Sequence, residues 1–398
     1  MNNLAFKFQP AEPESILTTA EYDEAVTFGR SPTLIEEIKA DYSAIGLIGE
    51  DHNKLLAYLA AISRKSDAPL NVLILSSSGA GKSTIMDKTL KLLPEEDVVR
   101  VSSLSDKALF YMPSNGLKNR ILALEEAAGM KDSYAMRTLI SEGHLNLQTV
   151  VGGSLQTHNV EGPVSIFQTT TNPEINAETK SRFFVLGVDE SRDQTRAILT
   201  AQREACTIEG IKRKASQDII LRKHQNFQRL LQPYAVVNPY ARHLFYEDDR
   251  LQARRDQPKF LNLCHAVALL RQMGKEIKSC DGLEYIEVEP EDIKIATELA
   301  TELLGVSLDD LSFPARDLLR QLDTLLPKGK ARKDCAFTRS DLMTALGWTK
   351  TRLHLHLKEL LDLELVVKEP GKRNCLEHYR LLYHGESGHK FLIGLQCS

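Results

Sequence analysis

Residues 71–84 read as an apolar run, a Gly-rich turn and then Lys-Ser-Thr. Gly79 and Gly81 free the backbone so that N–H groups can close on phosphate oxygens. Ser78 and Ala80 complete the loop, and the helix that starts behind it adds partial positive charge. In this pattern Lys82 reaches β and γ phosphates and the Ser83 hydroxyl ligates Mg²⁺, with Thr84 beside it. Ser76 stands where such loops usually begin with Gly. The expected cofactors are ATP and Mg²⁺.

A second stretch, residues 119–126, is an apolar run closed by Glu125 and Glu126. Two carboxylates at a strand end divide the work: Glu125 is assigned to the metal, Glu126 to activating the attacking water. A third run, 164–168, leads into Thr169-Thr170-Thr171-Asn172-Pro173. Asn172 is the polar group expected to hold that water or touch the γ-phosphate. Arg182 follows in Ser-Arg-Phe-Phe and is expected to supply positive charge to a neighbouring subunit's ATP.

These residues need a scaffold. Short apolar runs at 71–75, 98–101, 121–124, 164–168 and 183–188 alternate with helical stretches at 83–93 and 134–140. That alternation predicts a parallel sheet covered on both faces, with ligands at the C-terminal strand ends. Ser31-Pro32 is expected to cap and open a helix to about Ile45, and Leu55, Leu56, Leu59, Ala60 and Ile62 to mark an amphipathic helix. The domain expectation is a lead-in at 1–30, an α/β nucleotide-binding domain at 31–195 and an all-helical lid at 196–305. A helix and basic linker at 306–336, a winged helix at 337–384 and a tail at 385–398 complete it.

In the C-terminal part, Thr338 caps a helix at 339–346, Gly347-Trp348 makes a turn, and Thr349 caps a second helix at 350–361. Two strands at 365–368 and 379–382 flank a basic turn. In the DNA-binding use of this motif, Lys350, Arg352, His356 and Lys358 lie off the core stripe, and Lys372 and Arg373 form the wing tip. Trp348 is read as core. Between residues 328 and 384, 12 Lys/Arg face 7 Asp/Glu, whereas the whole chain carries −4, so the positive charge is concentrated where nucleic acid is expected.

Six scattered cysteines without a CxxC pair argue against a zinc site or a disulfide framework. No stretch approaches the ~18–20 apolar residues of a membrane span. No membrane partner is expected, and the expected location is cytoplasmic.

Taken in order, these pieces resemble the AAA+ ATPases of the minichromosome maintenance (MCM) helicase type and their relatives in bacterial phages and integrated elements. The resemblance covers about residues 40–305. Residues 45–54 resemble the segment that closes on adenine. Residues 77–83 match the nucleotide loop, and Leu139 to Leu147 with the Gly152-Gly153 turn resemble an inserted hairpin. Thr171-Asn172-Pro173 and Ser181-Arg182-Phe183 match sensor 1 and the arginine finger, and Arg255 the sensor 2 position, with Arg254 as the alternative. The resemblance implies a hexameric homo-oligomer working on single-stranded or forked DNA, with a primase or replication initiator as a further partner. Two departures stand out. The hairpin has no Lys or Arg between Gly143 and Gly162, and the large N-terminal MCM domain has no counterpart here. A remodeller or regulator of a protein partner, and an ATP-gated initiation or transposition regulator, therefore stay open beside helicase and helicase loader.

Overall fold

The computed structural model describes residues 17–76, 81–102, 104–125, 133–151, 154–171, 177–189, 192–246, 253–303, 313–325, 336–369, 377–382 and 393–395. In chain order the elements are α1 (Thr19–Gly29), α2 (Leu34–Ala44), α3 (Asp51–Ser63), β1 (Val72–Leu75), α4 (Lys82–Lys91), β2 (Val98–Val101), α5 (Asp106–Leu109), β3 (Arg120–Leu124) and α6 (Tyr134–Glu142). Then follow β4 (His144–Val151), β5 (Ser154–Glu161), β6 (Val164–Thr170), α7 (Ala177–Lys180), β7 (Phe184–Gly187), α8 (Arg192–Ala205), α9 (Ile208–Leu230), β8 (Ala235–Val237) and β9 (Leu244–Tyr246). The chain continues with α10 (Ala253–Leu270), β10 (Lys278–Cys280), β11 (Leu283–Glu287), α11 (Pro290–Leu303), α12 (Phe313–Leu325), β12 (Ala336–Thr338), α13 (Arg339–Leu346), α14 (Lys350–Asp362), β13 (Val366–Lys368), β14 (His378–Leu381) and β15 (Ile393–Leu395). Two compact units result. One holds Met1–Leu244, Gln257–Leu299 and Leu395–Ser398; the other holds Phe245–Asp256 and Ala300–Gly394.

The first unit is built on a five-stranded parallel sheet ordered β2-β3-β6-β1-β7. Its central strands β1, β3 and β6 are buried on both faces, as their continuous apolar runs require. One face packs Leu73, Leu122, Leu124, Val164 and Ile166 against Ala135, Met136 and Leu139 of α6 and against Phe183. On the other face Ser165 Oγ donates to the carbonyls of Leu70, at 2.7 Å, and Ala60. This ties β6 to α3. The expected amphipathic α3 is instead buried all round from Asn53 to Ser63, because α2, α4 and β6 all pack on it.

Three further expectations are corrected. The 1–30 lead-in contains α1, whose Thr18 and Glu21 form a capping box and whose Phe28 is 3% exposed. Phe28 meets the rings of His224 and Phe227 of α9 edge-on. Ser31 does not cap the next helix: α2 starts at Leu34 with Thr33 as N-cap, and Ser31 Oγ accepts from Thr33 N in the turn before it. The lid expected to be all-helical carries a three-stranded sheet, β10-β11-β8. β10 and β11 are joined by Asp281-Gly282, with φ +50° and +82°. Positive φ at both central residues is the two-residue hairpin geometry that Asp-Gly favours.

In the second unit α12, α13 and α14 pack on the antiparallel sheet β12-β14-β13. Leu318, Leu319, Leu322, Leu342, Leu353, Leu357, Leu360, Leu365 and Tyr379 form its core. Thr338 and Asp341 cap α13 reciprocally, Gly347 ends it in the left-handed region, and Thr349 caps α14. β12 is a strand the sequence reading lacks. Among the described residues no helix is long and apolar enough to cross a membrane.

Candidate functional site

The strand order decides where the chemistry gathers. β6 lies between β1 and β3, with Leu75 opposite Thr170 and Leu124 opposite Gln168. The C-terminal ends of three parallel strands therefore converge: one leads into the phosphate-binding stretch, one into Glu125, and one into the Thr170–Thr171 turn. In open α/β sheets ligands bind in the crevice at this edge. Ser78, Gly79, Ala80, Glu126 and Asn172 lie outside the described residues.

Behind the loop, Gly81 takes φ +107° as N-cap of α4. A side chain would be strained there whatever the space around it. Its carbonyl accepts from Thr84 and Ile85 N–H groups, so the helix starts directly at Lys82. Lys82 is 7% exposed, and its Nζ donates to the Ser76 carbonyl at 3.1 Å, folding the ammonium back over the end of β1. Ser83 and Thr84 are exposed.

Glu125 is not alone. Arg100 of β2 donates from its guanidinium to Glu125 Oε1 and, at 2.5 Å, to Asp87 Oδ1 on α4. These bonds, Glu125's first, hold the Arg100 pKa above its ordinary value. One arginine thus spans the phosphate-loop helix and the acidic strand end. Asp87 follows Ser83 by four residues, so the two share a face of α4. The Ser83 hydroxyl is thereby on the side of the helix that Arg100 links to Glu125. A hydroxyl and a carboxylate are hard oxygen donors of the kind Mg²⁺ takes, and this chain's residues fit that ion. The sequence reading missed Arg100; its signal is a lone charge inside the run Val98-Val99-Arg100-Val101.

Arg182 sits between α7 and β7 and is engaged within its own chain. Its Nη1 donates to the Glu178 carbonyl at 2.7 Å, its Nη2 to Glu178 Oε1 at 3.1 Å, and its Nε to Ser141 Oγ at 3.0 Å. Its side chain is 19% exposed. Arg255 lies, with Arg254, in the first turn of α10. Further along that helix Lys259 Nζ donates to the Phe183 carbonyl at 3.4 Å and lies 5.6 Å from the Phe184 ring centre, which docks α10 on the start of β7.

Residues 45–54, expected to close on adenine, are bolted to the chain after β7. Asn53 Nδ2 donates to the Gly187 carbonyl at 2.7 Å, Asp189 N–H to Glu50 Oε1 at 2.8 Å, and Gln194 Nε2 to the Ile48 carbonyl at 2.7 Å. Gly49 takes φ +63°, where a side chain is strained, and a Cβ there would displace the Gln194 amide from its bond to Ile48. The hairpin β4–β5 pairs Asn146 with Asn159, Gln148 with Thr157 and Val150 with Leu155 on its exposed face. Val150 and Leu155 are 70% and 64% exposed.

In the second unit, Lys350 and Lys358 are exposed on α14. Arg352 is exposed and His356 half-buried, off the buried stripe of Leu353, Leu357 and Leu360. The Arg352 guanidinium lies 4.0 Å from the centre of the Trp348 ring, His356 meets that ring edge-on, and His356 Nδ1 is 2.9 Å from Glu359 Oε1. An indole at the turn recruits both side chains at i+4 and i+8 along the helix. Lys372 and Arg373 lie outside the described residues.

A family model described as the MTBMA_p00010 P-loop domain matches residues 21–231. No curated protein matches the chain significantly.

Proposed function

The chain belongs to the MTBMA_p00010 P-loop domain family, and from that premise we propose that this nucleotide hydrolase is an AAA+ ATPase acting on DNA, similar to MCM-like helicases of bacterial mobile elements. One observation carries the reading furthest. β6 stands between the strand feeding the phosphate loop and the strand ending in Glu125, so a third strand end enters the crevice between them. That arrangement suits hydrolysis: one strand end binds phosphate, the second holds metal and base, and the third orients water.

In this mechanism Lys82 neutralises the β and γ phosphates while the N-terminus of α4 faces them. Ser83 and Glu125 would hold Mg²⁺, which when bound draws charge from the phosphoryl oxygens. Glu126 takes the proton of the attacking water, and Asn172 fixes that water's direction. Arg182 serves the neighbouring subunit's nucleotide in a homo-oligomer, a hexamer by resemblance. By the same resemblance Arg255, or Arg254, takes the sensor 2 role.

For the second unit we propose a winged helix that contacts DNA through Lys350 and Lys358 of α14, with Arg352, His356, Lys372 and Arg373 beside them. Its support is the order α12-β12-α13-α14-β13-β14 around one core. A primase or replication initiator fits the same reading as a further partner. The rival reading, a remodeller of a protein partner, is favoured by the β4–β5 hairpin, which has no Lys or Arg and exposes Val150 and Leu155. ATPase rate with and without single-stranded DNA separates the two. Stimulation by DNA is expected, and a rate indifferent to DNA at low salt overturns the DNA reading.

A further inference from the structure

Arg100 carries the only charge on β2, the edge strand of the sheet. β2 and β3 run in register, Val101 opposite Leu124, and Glu125 N–H donates to the Val101 carbonyl at 3.3 Å. The backbone therefore fixes the root of Glu125 beside Arg100, and the guanidinium needs no rearrangement to grip its carboxylate. Its second partner, Asp87, is on the phosphate-loop helix. Arg100, Asp87 and Glu125 are 45%, 36% and 33% exposed at their side chains, so these contacts are open to water and exchangeable.

A guanidinium and a divalent cation seek the same carboxylate oxygens, and both cannot hold Glu125 Oε1 at full strength. We propose that Arg100 is a positioning residue that competes with the divalent metal for Glu125, Asp87 being the second carboxylate that keeps the guanidinium in place when the metal takes Glu125. Arg100 then sets how much metal the site requires. It aims the carboxylate in advance, and its release to Asp87 couples metal loading to the helix that binds phosphate. This inference rests on Glu125 serving the metal.

The test uses the full chain, a fluorescent ATP analogue and Mn²⁺, reading the Mn²⁺ concentration at half-maximal nucleotide binding, with a thermal melt of each variant alongside. Arg100→Gln is expected to lower that midpoint about three- to ten-fold, the size of one partly exposed charge-assisted bond. Asp87→Asn is expected to raise it, because Arg100 then has Glu125 as its remaining partner. The double variant should match Arg100→Gln alone; simple addition of the two effects would mean that Asp87 attracts the metal directly, and overturns the exchange. An unchanged or raised midpoint in Arg100→Gln, with only a lower melting temperature, would reduce Arg100 to a structural prop. Should that variant not fold, Arg100→Lys keeps the charge without the two-pronged geometry and should lower the midpoint by less; no shift there overturns the inference equally. Wild-type protein that takes up no Mn²⁺-nucleotide would remove the proposed function itself, whereas normal uptake with an unmoved Arg100 series removes this inference alone.

Discussion

Lys82 is buried and its ammonium already lies against the Ser76 carbonyl, so its charge is aimed before any phosphate arrives. Lys82→Ala is expected to abolish nucleotide binding, measured by fluorescence titration, and Glu126→Gln to bind without turnover. Arg182 differs, because hydrogen bonds to Glu178 and Ser141 engage three of its five N–H donors within one chain. If it acts on a neighbour, Arg182→Ala should keep nucleotide affinity and lose about 10³-fold in rate. Wild-type specific activity should then rise with protein concentration; full activity in the variant removes the finger role. At this scale the phosphate-binding and acidic stretches were legible because their chemistry is local in sequence. Arg100 was not, since its partners Asp87 and Glu125 are 13 and 25 residues away, and it takes the register of β2 on β3 to bring Glu125 to it and the fold of α4 to bring Asp87.

α9 is held to the helices before the sheet by a buried polar clasp. His224 is fully buried, its Nδ1 2.8 Å from Tyr58 Oη of α3 and its Nε2 2.9 Å from Asp41 Oδ2 of α2. Lys223 also reaches Asp41, and Phe28 of α1 covers the ring. Burial lowers the His224 pKa below 6.5, against the pull of Asp41. For Asp41, burial alone would raise the pKa, but the bonds from His224 and Lys223 hold it below 3.8. The signs give two windows. A histidine kept neutral when folded takes up its proton more readily when unfolded, so this clasp should weaken as pH falls below about 6.5. The Asp41 contribution persists above pH 3.8 and goes only in stronger acid. Thermal melts between pH 7.5 and 5.5 should show a falling midpoint that His224→Gln largely flattens. An equal pH slope in the variant would clear His224 of the effect. α1 and the small β10-β11-β8 sheet escaped the sequence reading for different reasons. Thr18-x-x-Glu21 was a readable capping box, but the helix behind it buries only a narrow stripe, Ala25, Phe28 and Gly29. Strands of three to five residues are too short to show a period, and Asp281-Gly282 was their one signal.

At the scale of the whole molecule, the second unit carries its own helix caps, buried stripe and turn. The second unit's core is a closed set centred on Leu353, Leu357 and Leu360. Leu357→Ala should cost about 2–5 kcal/mol of that unit's stability. The unit should then melt earlier and lose the DNA binding proposed for it, while nucleotide binding by the other unit persists. An unaltered melt would deny Leu357 its central place. The unit also carries an acid-sensitive link: Lys368 first, then Tyr379, lower the Glu377 pKa to about 2. That contribution is complete above pH 4.5 and is lost as pH falls toward 2.

The β4–β5 hairpin reaches outward with amides, hydroxyls and a valine–leucine pair, and with no cation anywhere along it. Whatever rests against it is held by contacts that dissolved ions barely screen. Capture of a polyanion by lysines elsewhere should fade steeply as ionic strength climbs, whereas a hold already taken by this finger should not.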